Sequence, residues 1–145
     1  MSIRLAVRAV IVENARLLLV NAYPGGQSDL WCAPGGGADP HASLPDNLTR
    51  EVYEETGLRI SVGHPCMVNE FHDPDRGFHQ VDLFFRCNAI AGQLSPDWID
   101  PEGVVNTRRW FSQAELQNIR LKPDSLPQIA FSDRYHYDPL ERIVR

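Results

Sequence analysis

The sequence predicts an α/β fold, and three features predict it. Runs of Val, Ile, Leu and Ala at 3–12 and 16–22, with further strand-like runs near 58–71, 80–90 and 104–111, supply the strands of a sheet. One helix with clear signals at both ends occupies about 44–56 between them. A shorter helix near 112–119 follows the last strand run. At 145 residues the chain has the size of one ordinary domain, and 1–145 is expected to be that single domain, since no repeat, low-complexity stretch or linker interrupts it.

The first two runs, 3–12 and 16–22, are separated only by Glu13-Asn14-Ala15, a polar turn, and are expected to pair as a hairpin. Arg4, Arg8, Glu13 and Arg16 interrupt the apolar start, so it reads as a strand pair and neither as a signal peptide nor as a membrane span. Pro24-Gly25-Gly26 breaks the chain. Trp31–Pro34 gives a short extended piece, and Gly35-Gly36-Gly37 is expected to form a flexible loop. Ser43 is placed to cap the long helix, with Asp46 three residues on, Pro45 in the first turn and Gly57 as the stop. Ser112 and Glu115 stand in the same relation at the start of the second helix. The tail beyond Lys122-Pro123 is broken by proline and yields no assignment.

Composition narrows the function. The chain is 43% hydrophobic and 23% charged, with a net charge of −5 and a pI near 5.4. That balance argues against broad nucleic-acid or anionic-membrane binding, which needs a basic face. It leaves room for a small anionic substrate, because a metal can supply positive charge locally. Cys32, Cys66 and Cys87 are widely spaced and odd in number, which fits a reducing, cytoplasmic setting better than a disulfide framework or a zinc site.

The 44–56 helix carries the chemistry. At roughly 100° per residue, Leu44, Leu48 and Val52 make one apolar stripe. Glu55 falls between Leu44 and Leu48, Glu51 lies at the edge of the stripe, and Glu54 flanks them. Clustered carboxylates that lean toward a core repel one another, and burying one without compensation is costly. A divalent cation, a basic partner or solvation of the whole face would each offset the cost.

Gly36, followed fourteen residues later by Arg50-Glu51-Val52-Tyr53-Glu54-Glu55-Thr56-Gly57-Leu58, resembles the box of the Nudix hydrolase family, the MutT-like enzymes. Trp31 and Pro34-Gly35-Gly36 match its usual lead-in. The resemblance implies a Nudix-type α/β/α sandwich, a mixed β-sheet with helices on both sides. It implies hydrolysis of a diphosphate bond in a nucleoside diphosphate linked to another moiety, with Mg²⁺ or Mn²⁺ as cofactor. It assigns catalytic roles to Glu51, Glu54 and Arg50, and metal contacts to Glu51, Glu54, Glu55 and the main chain at Gly36. The implied partner is a small nucleotide-type substrate, not a nucleic acid or a membrane; the oligomeric state is open, a homodimer included. The alternative is a Nudix-like domain that binds a nucleotide or a protein without cleaving it.

One position departs from the box. Its first glutamate falls on Ala42, and a common glycine is replaced by His41. That glutamate supports the box loop and its arginine, so Arg50 is expected to find another acid, Asp39 or Glu54. Asn106 and Thr107 stand where a further metal-binding acid is common; Glu102 is the remaining candidate, and it reads first as a solvated loop charge. His72, Asp73, Asp75 and His79 read as a polar turn, Phe71, Phe78 and Trp98 as core or cross-strand aromatics, and Arg4 and Arg8 as a solvated strand face.

Overall fold

The computed structural model describes residues 2–23 and 26–145. Eight strands form one mixed sheet: β1 (Arg4–Glu13), β2 (Arg16–Asn21), β3 (Gly35–Gly37), β4 (Arg59–Asp73), β5 (Phe78–Ala91), β6 (Thr107–Ser112), β7 (His136–Tyr137) and β8 (Glu141–Arg142). Their order is β6-β2-β1-β5-β4-β7, with β3 added on β1 and β8 on β4. β1 runs parallel to β5 and antiparallel to both β2 and β3.

Helices cover both faces: α1 (Leu44–Thr56) on one, α2 (Gln113–Leu116) and α3 (Leu126–Ala130) on the other. The central strands are therefore apolar on both sides, which is why they read as continuous hydrophobic runs. Val7, Ala9 and Ile11 of β1 pack with Leu18, Leu48, Val52 and Phe85 beneath α1. Val10 packs with Leu17, Leu19, Phe84, Phe111, Leu126 and Ile129 on the opposite face. Leu48 and Val52, one turn apart, are the completely buried pair through which α1 docks.

Two expectations are corrected, and the unassigned tail is placed. The triglycine segment is a strand, not a loop: Gly35, Gly36 and Gly37 pair with Arg8, Val7 and Ala6. The second helix is only α2, 113–116, although its Ser112–Glu115 capping box is present as read. The proline-broken tail forms α3 and two short strands, which dock beside β4. The region 72–79 is the turn that the sequence suggested, with His72 and His79 as cross-strand partners.

The β1–β2 hairpin turns through Asn14 (φ 51°) and Ala15 (φ 59°), between the closing pair Glu13 and Arg16. Two consecutive left-handed residues are the geometry that a tight hairpin demands, and asparagine tolerates it far better than alanine. Ala15→Gly should therefore stabilise the protein by about 0.5–1 kcal/mol in chemical denaturation. An unchanged midpoint would show that the strain is relieved elsewhere.

Candidate active site

Helix α1 is fixed at both ends by local chemistry. The Ser43 hydroxyl accepts from the Asp46 N–H at 3.0 Å, and Gly57, at φ 76°, closes the C-terminus with its N–H on the Tyr53 carbonyl at 2.8 Å. The indole of Trp98 donates to the Glu54 carbonyl at 2.8 Å and packs edge-on against Tyr53 at 5.3 Å. Trp98 thus belongs to the end of α1, and it ties the loop between β5 and β6 to that end. Further along this loop the buried Asp100 accepts from the N–H groups of Glu102 (2.9 Å), Val104 (3.2 Å) and Val105 (2.9 Å). The loop is thereby folded so that Glu102 reaches the cleft beside α1. Asp100 escaped the sequence reading; the Asp-Pro-Glu-Gly run, an acid that can bind its own following backbone, was the available signal.

The cleft has a volume of about 580 Å³ and is lined by Glu51, Glu55, Asp39, Arg50, Glu102 and the glycines of β3, among others. Close approach of β3 to α1 makes it: a Cβ on Gly36 would come within 2.8 Å of the Glu51 carboxylate, so any side chain there would displace it. Glu55 is buried at 6% exposure and accepts the Gly35 N–H at 2.8 Å. Burial pushes its carboxyl up to about 8; the Arg8 charge and the Gly35 hydrogen bond only partly oppose this, and Glu51 and Asp100 add to it. Glu51, half-buried, is also shifted upward, by burial first and by the charges of Glu54 and Glu102, against the pull of Arg50.

Arg50 gathers the acids. Its guanidinium lies 3.0 Å from Asp39, 3.3 Å from Glu51 and 3.5 Å from Glu54. It also donates to the Asn47 amide oxygen at 3.1 Å. Asn47 is buried and staples the loop: its oxygen accepts the Asp39 N–H, and its NH₂ group donates to the carbonyls of Asp39, Ala42 and Ser43. The support expected from a glutamate at position 42 comes instead from Asp39 and Asn47. His41, at φ 70°, occupies a left-handed conformation that suits the glycine it replaces.

Arg8 corrects the reading of a solvated strand face. Its side chain is nearly buried, lies 3.3 Å from Asp82 and donates to the carbonyls of Ala33 and Gly35. Burial disfavours its charge, but the charge and hydrogen bond of Asp82 together with Cys32 and Glu55 outweigh it, so the guanidinium is held above its usual value.

Among the described residues no three His, Cys, Asp or Glu side chains close on one point, because Glu51 and Glu54 turn toward Arg50. The donor set nevertheless suits a hard cation: carboxylate oxygens at Glu51, Glu54 and Glu55, with Glu102 and the Gly36 main chain nearby. The raised Glu55 is a buried carboxylate short of positive charge, which is the deficit that a divalent ion fills.

A family model described as the NUDIX domain matches residues 2–131. The chain belongs to the Nudix family. It is 31% identical over 107 residues to mouse diphosphoinositol polyphosphate phosphohydrolase 3-alpha, covering 74% of this chain and 60% of that one. Human diphosphoinositol polyphosphate phosphohydrolase 2 is 30% identical over 101 residues, covering 68% of this chain and 51% of its own. The chain thus spans only half to three-fifths of the length of these curated relatives. Among solved structures, a MutT Nudix hydrolase from Burkholderia pseudomallei superposes with a TM-score of 0.75 at 20% identity, over 91% of this chain and all of that one. A UDP-X diphosphatase superposes at 0.71 and 22% identity, over 95% of this chain and 68% of that one. These likenesses establish the Nudix fold, a mixed sheet between helices.

Glu55 gives the metal-free protein a signed pH dependence. Its folded pKa is raised, so its contribution to stability is complete below the unfolded value near 4.5 and is lost as pH rises through about 8. Melting temperature measured in a chelator should fall across that window, Glu55→Gln should flatten the fall, and millimolar Mg²⁺ should restore stability at pH 8 in the natural protein. A fall of equal size in Glu55→Gln would place the titrating group elsewhere.

The substitute support for Arg50 is open to a double-mutant cycle. Asp39→Asn should reduce activity more in the natural background than in Ala42→Glu, with a coupling of roughly 0.5 kcal/mol or more. Identical effects in the two backgrounds would remove Asp39 from this role.

Proposed function

We propose that this Nudix protein hydrolyses a diphosphate bond in a small nucleoside diphosphate-type substrate with the help of Mg²⁺ or Mn²⁺. The observation that supports this most is the convergence of Glu51, Glu55 and Glu102 with the glycines of β3 on one cleft. A divalent ion held by these oxygens would neutralise phosphate charge and make an attacking water more acidic. Glu51 and Glu54 are both paired with Arg50, which offsets their mutual repulsion on the helix. Glu55 is locked to the Gly35 N–H, which fixes the height of the triglycine strand over the acids. Glu102, on the Asp100-pinned loop, is an exposed acid of the cleft and, unlike Asp39, has no cationic partner among the described residues, so its carboxylate is free to turn toward a substrate or a bound ion.

The non-cleaving alternative drew its support from Ala42. Asp39 and Asn47 holding Arg50 and its loop weaken that support. No helix among the described residues is long and apolar enough to cross a membrane. The three cysteines are free, as the proposed cytoplasmic setting requires.

Product release from a panel of diphosphates, with and without Mg²⁺, tests the reading. Glu54→Gln and Glu51→Gln should each lower turnover by about tenfold to a thousandfold while the fold persists. Natural turnover in either variant at saturating Mg²⁺ would remove that residue from the machinery, and absence of any metal-dependent turnover would favour the binding alternative.

A further inference from the structure

Residues 132–145 lie outside the stretch that the family model matches, and part of them walls a second cavity. This cavity has a volume of about 280 Å³, and Arg8 and Ala22 line both it and the acidic cleft. Four consecutive tail residues, Glu141, Arg142, Ile143 and Val144, line it together with Phe71 of β4, Phe84 of β5 and Cys32.

The tail holds this place without a buried anchor. Of residues 132–145, all of them described, none is buried, whereas α3 just before them buries Leu126, Ile129 and Ala130. What fixes the tail is polar. β7 and β8 lie parallel to β4, and beside them the Asp138 N–H reaches the Val68 carbonyl and the Ile143 N–H the His72 carbonyl, both at 2.9 Å. Asp138 accepts from the Ser125 hydroxyl at 2.8 Å, and the Tyr137 hydroxyl donates to Glu70. Three ion pairs complete the set: Glu141 with Lys122 at 3.4 Å, Arg142 with Asp75 at 3.7 Å and Arg145 with Asp73 at 3.5 Å.

A segment with few buried apolar contacts and exposed hydrogen bonds opens at far lower cost than the core. Exposed ion pairs contribute little each, and salt weakens them further, the screening length falling from about 10 Å at 0.1 M to about 3 Å at 1 M. The sheet survives the loss, because β4 stays paired with β5 from Arg59 to Asp73.

We propose that residues 136–144 are a releasable strap, which closes one side of the cavity beside the acidic cleft, opens without global unfolding and opens more often as ionic strength rises. The strap sets how readily solutes reach Arg8 and, through it, the inner end of that cleft.

Cys32 is a built-in reporter. It is free and lines the cavity, while Cys66 and Cys87 are buried in the two cores. Burial pushes its thiol up to about 11 against the pull of Arg8, so the closed form labels slowly; opening exposes the thiol and relieves that burial.

The test is hydrogen exchange of the full chain followed by NMR, with iodoacetamide labelling of Cys32 mapped by mass spectrometry, both without substrate. The amides of Asp138 and Ile143 should exchange roughly a hundredfold or more faster than those of β1 and β5. Raising NaCl from about 0.05 M to 1 M should speed those two amides and the labelling of Cys32 at least about threefold and leave the β1 and β5 amides unchanged. Glu141→Gln and Asp138→Ala should each speed both readouts at low salt, with the melting temperature unchanged. Tail amides as slow as those of β1 would make the tail part of the core and overturn the proposal. A lowered melting temperature in both variants would overturn it in the same way. Labelling of Cys32 that ignores both salt and the two variants would show that the tail does not gate the cavity, and would overturn it too.

Discussion

The contact on which the rest depends is that between the Glu55 carboxylate and the Gly35 N–H, made inside the protein at 2.8 Å. It joins the helix to the strand across the space where a phosphate and a metal would meet. A carboxylate at this depth is costly, and the surroundings answer the cost only in part: Arg8 helps, while Glu51 and Asp100 add to it. A divalent ion, as proposed, would supply the positive charge that the surroundings leave short. Its geometry follows from glycine, because β3 comes close enough for Gly36 to abut Glu51, and a Cβ there would displace the Glu51 carboxylate.

Around that contact the protein distributes its arginines with care. Arg50 holds the outer acids, Arg8 the inner pair of β1 and β5, and Arg108 donates to the Glu55 carbonyl at the helix end. Each is bound to acceptors; among the described cations that line the cleft, Arg4 alone has no carboxylate partner. On the proposed function, a negative substrate would rely on a bound ion at the site more than on long-range attraction.

Ala42 shows how a motif can lose a member without losing its geometry. What the missing glutamate would do, holding an arginine and tightening a loop, requires only an acceptor and a staple. Asp39 and Asn47 provide them from within the same loop and the first turn of the helix. Evenly spaced box residues describe one solution to that requirement, and the fold admits another.

The sequence by itself determined the long helix, its caps and the lean of Glu55 toward the core, because a helix is a local structure whose period, end signals and apolar stripe lie within thirteen residues. It also carried the family, through spacing over a short segment. Tertiary structure alone decided that the triglycine segment is a strand, since nothing local marks a pairing with residues nearly thirty positions earlier. It decided that Arg8 is buried, because its partner Asp82 arrives on a parallel strand from the far half of the chain. Asn47 and Asp100 bind main chain within eight residues of themselves, and what tertiary structure decided for them is that they are buried. A polar side chain reads identically in solvent and in a core, and only the elements packed over it settle which of its atoms are satisfied.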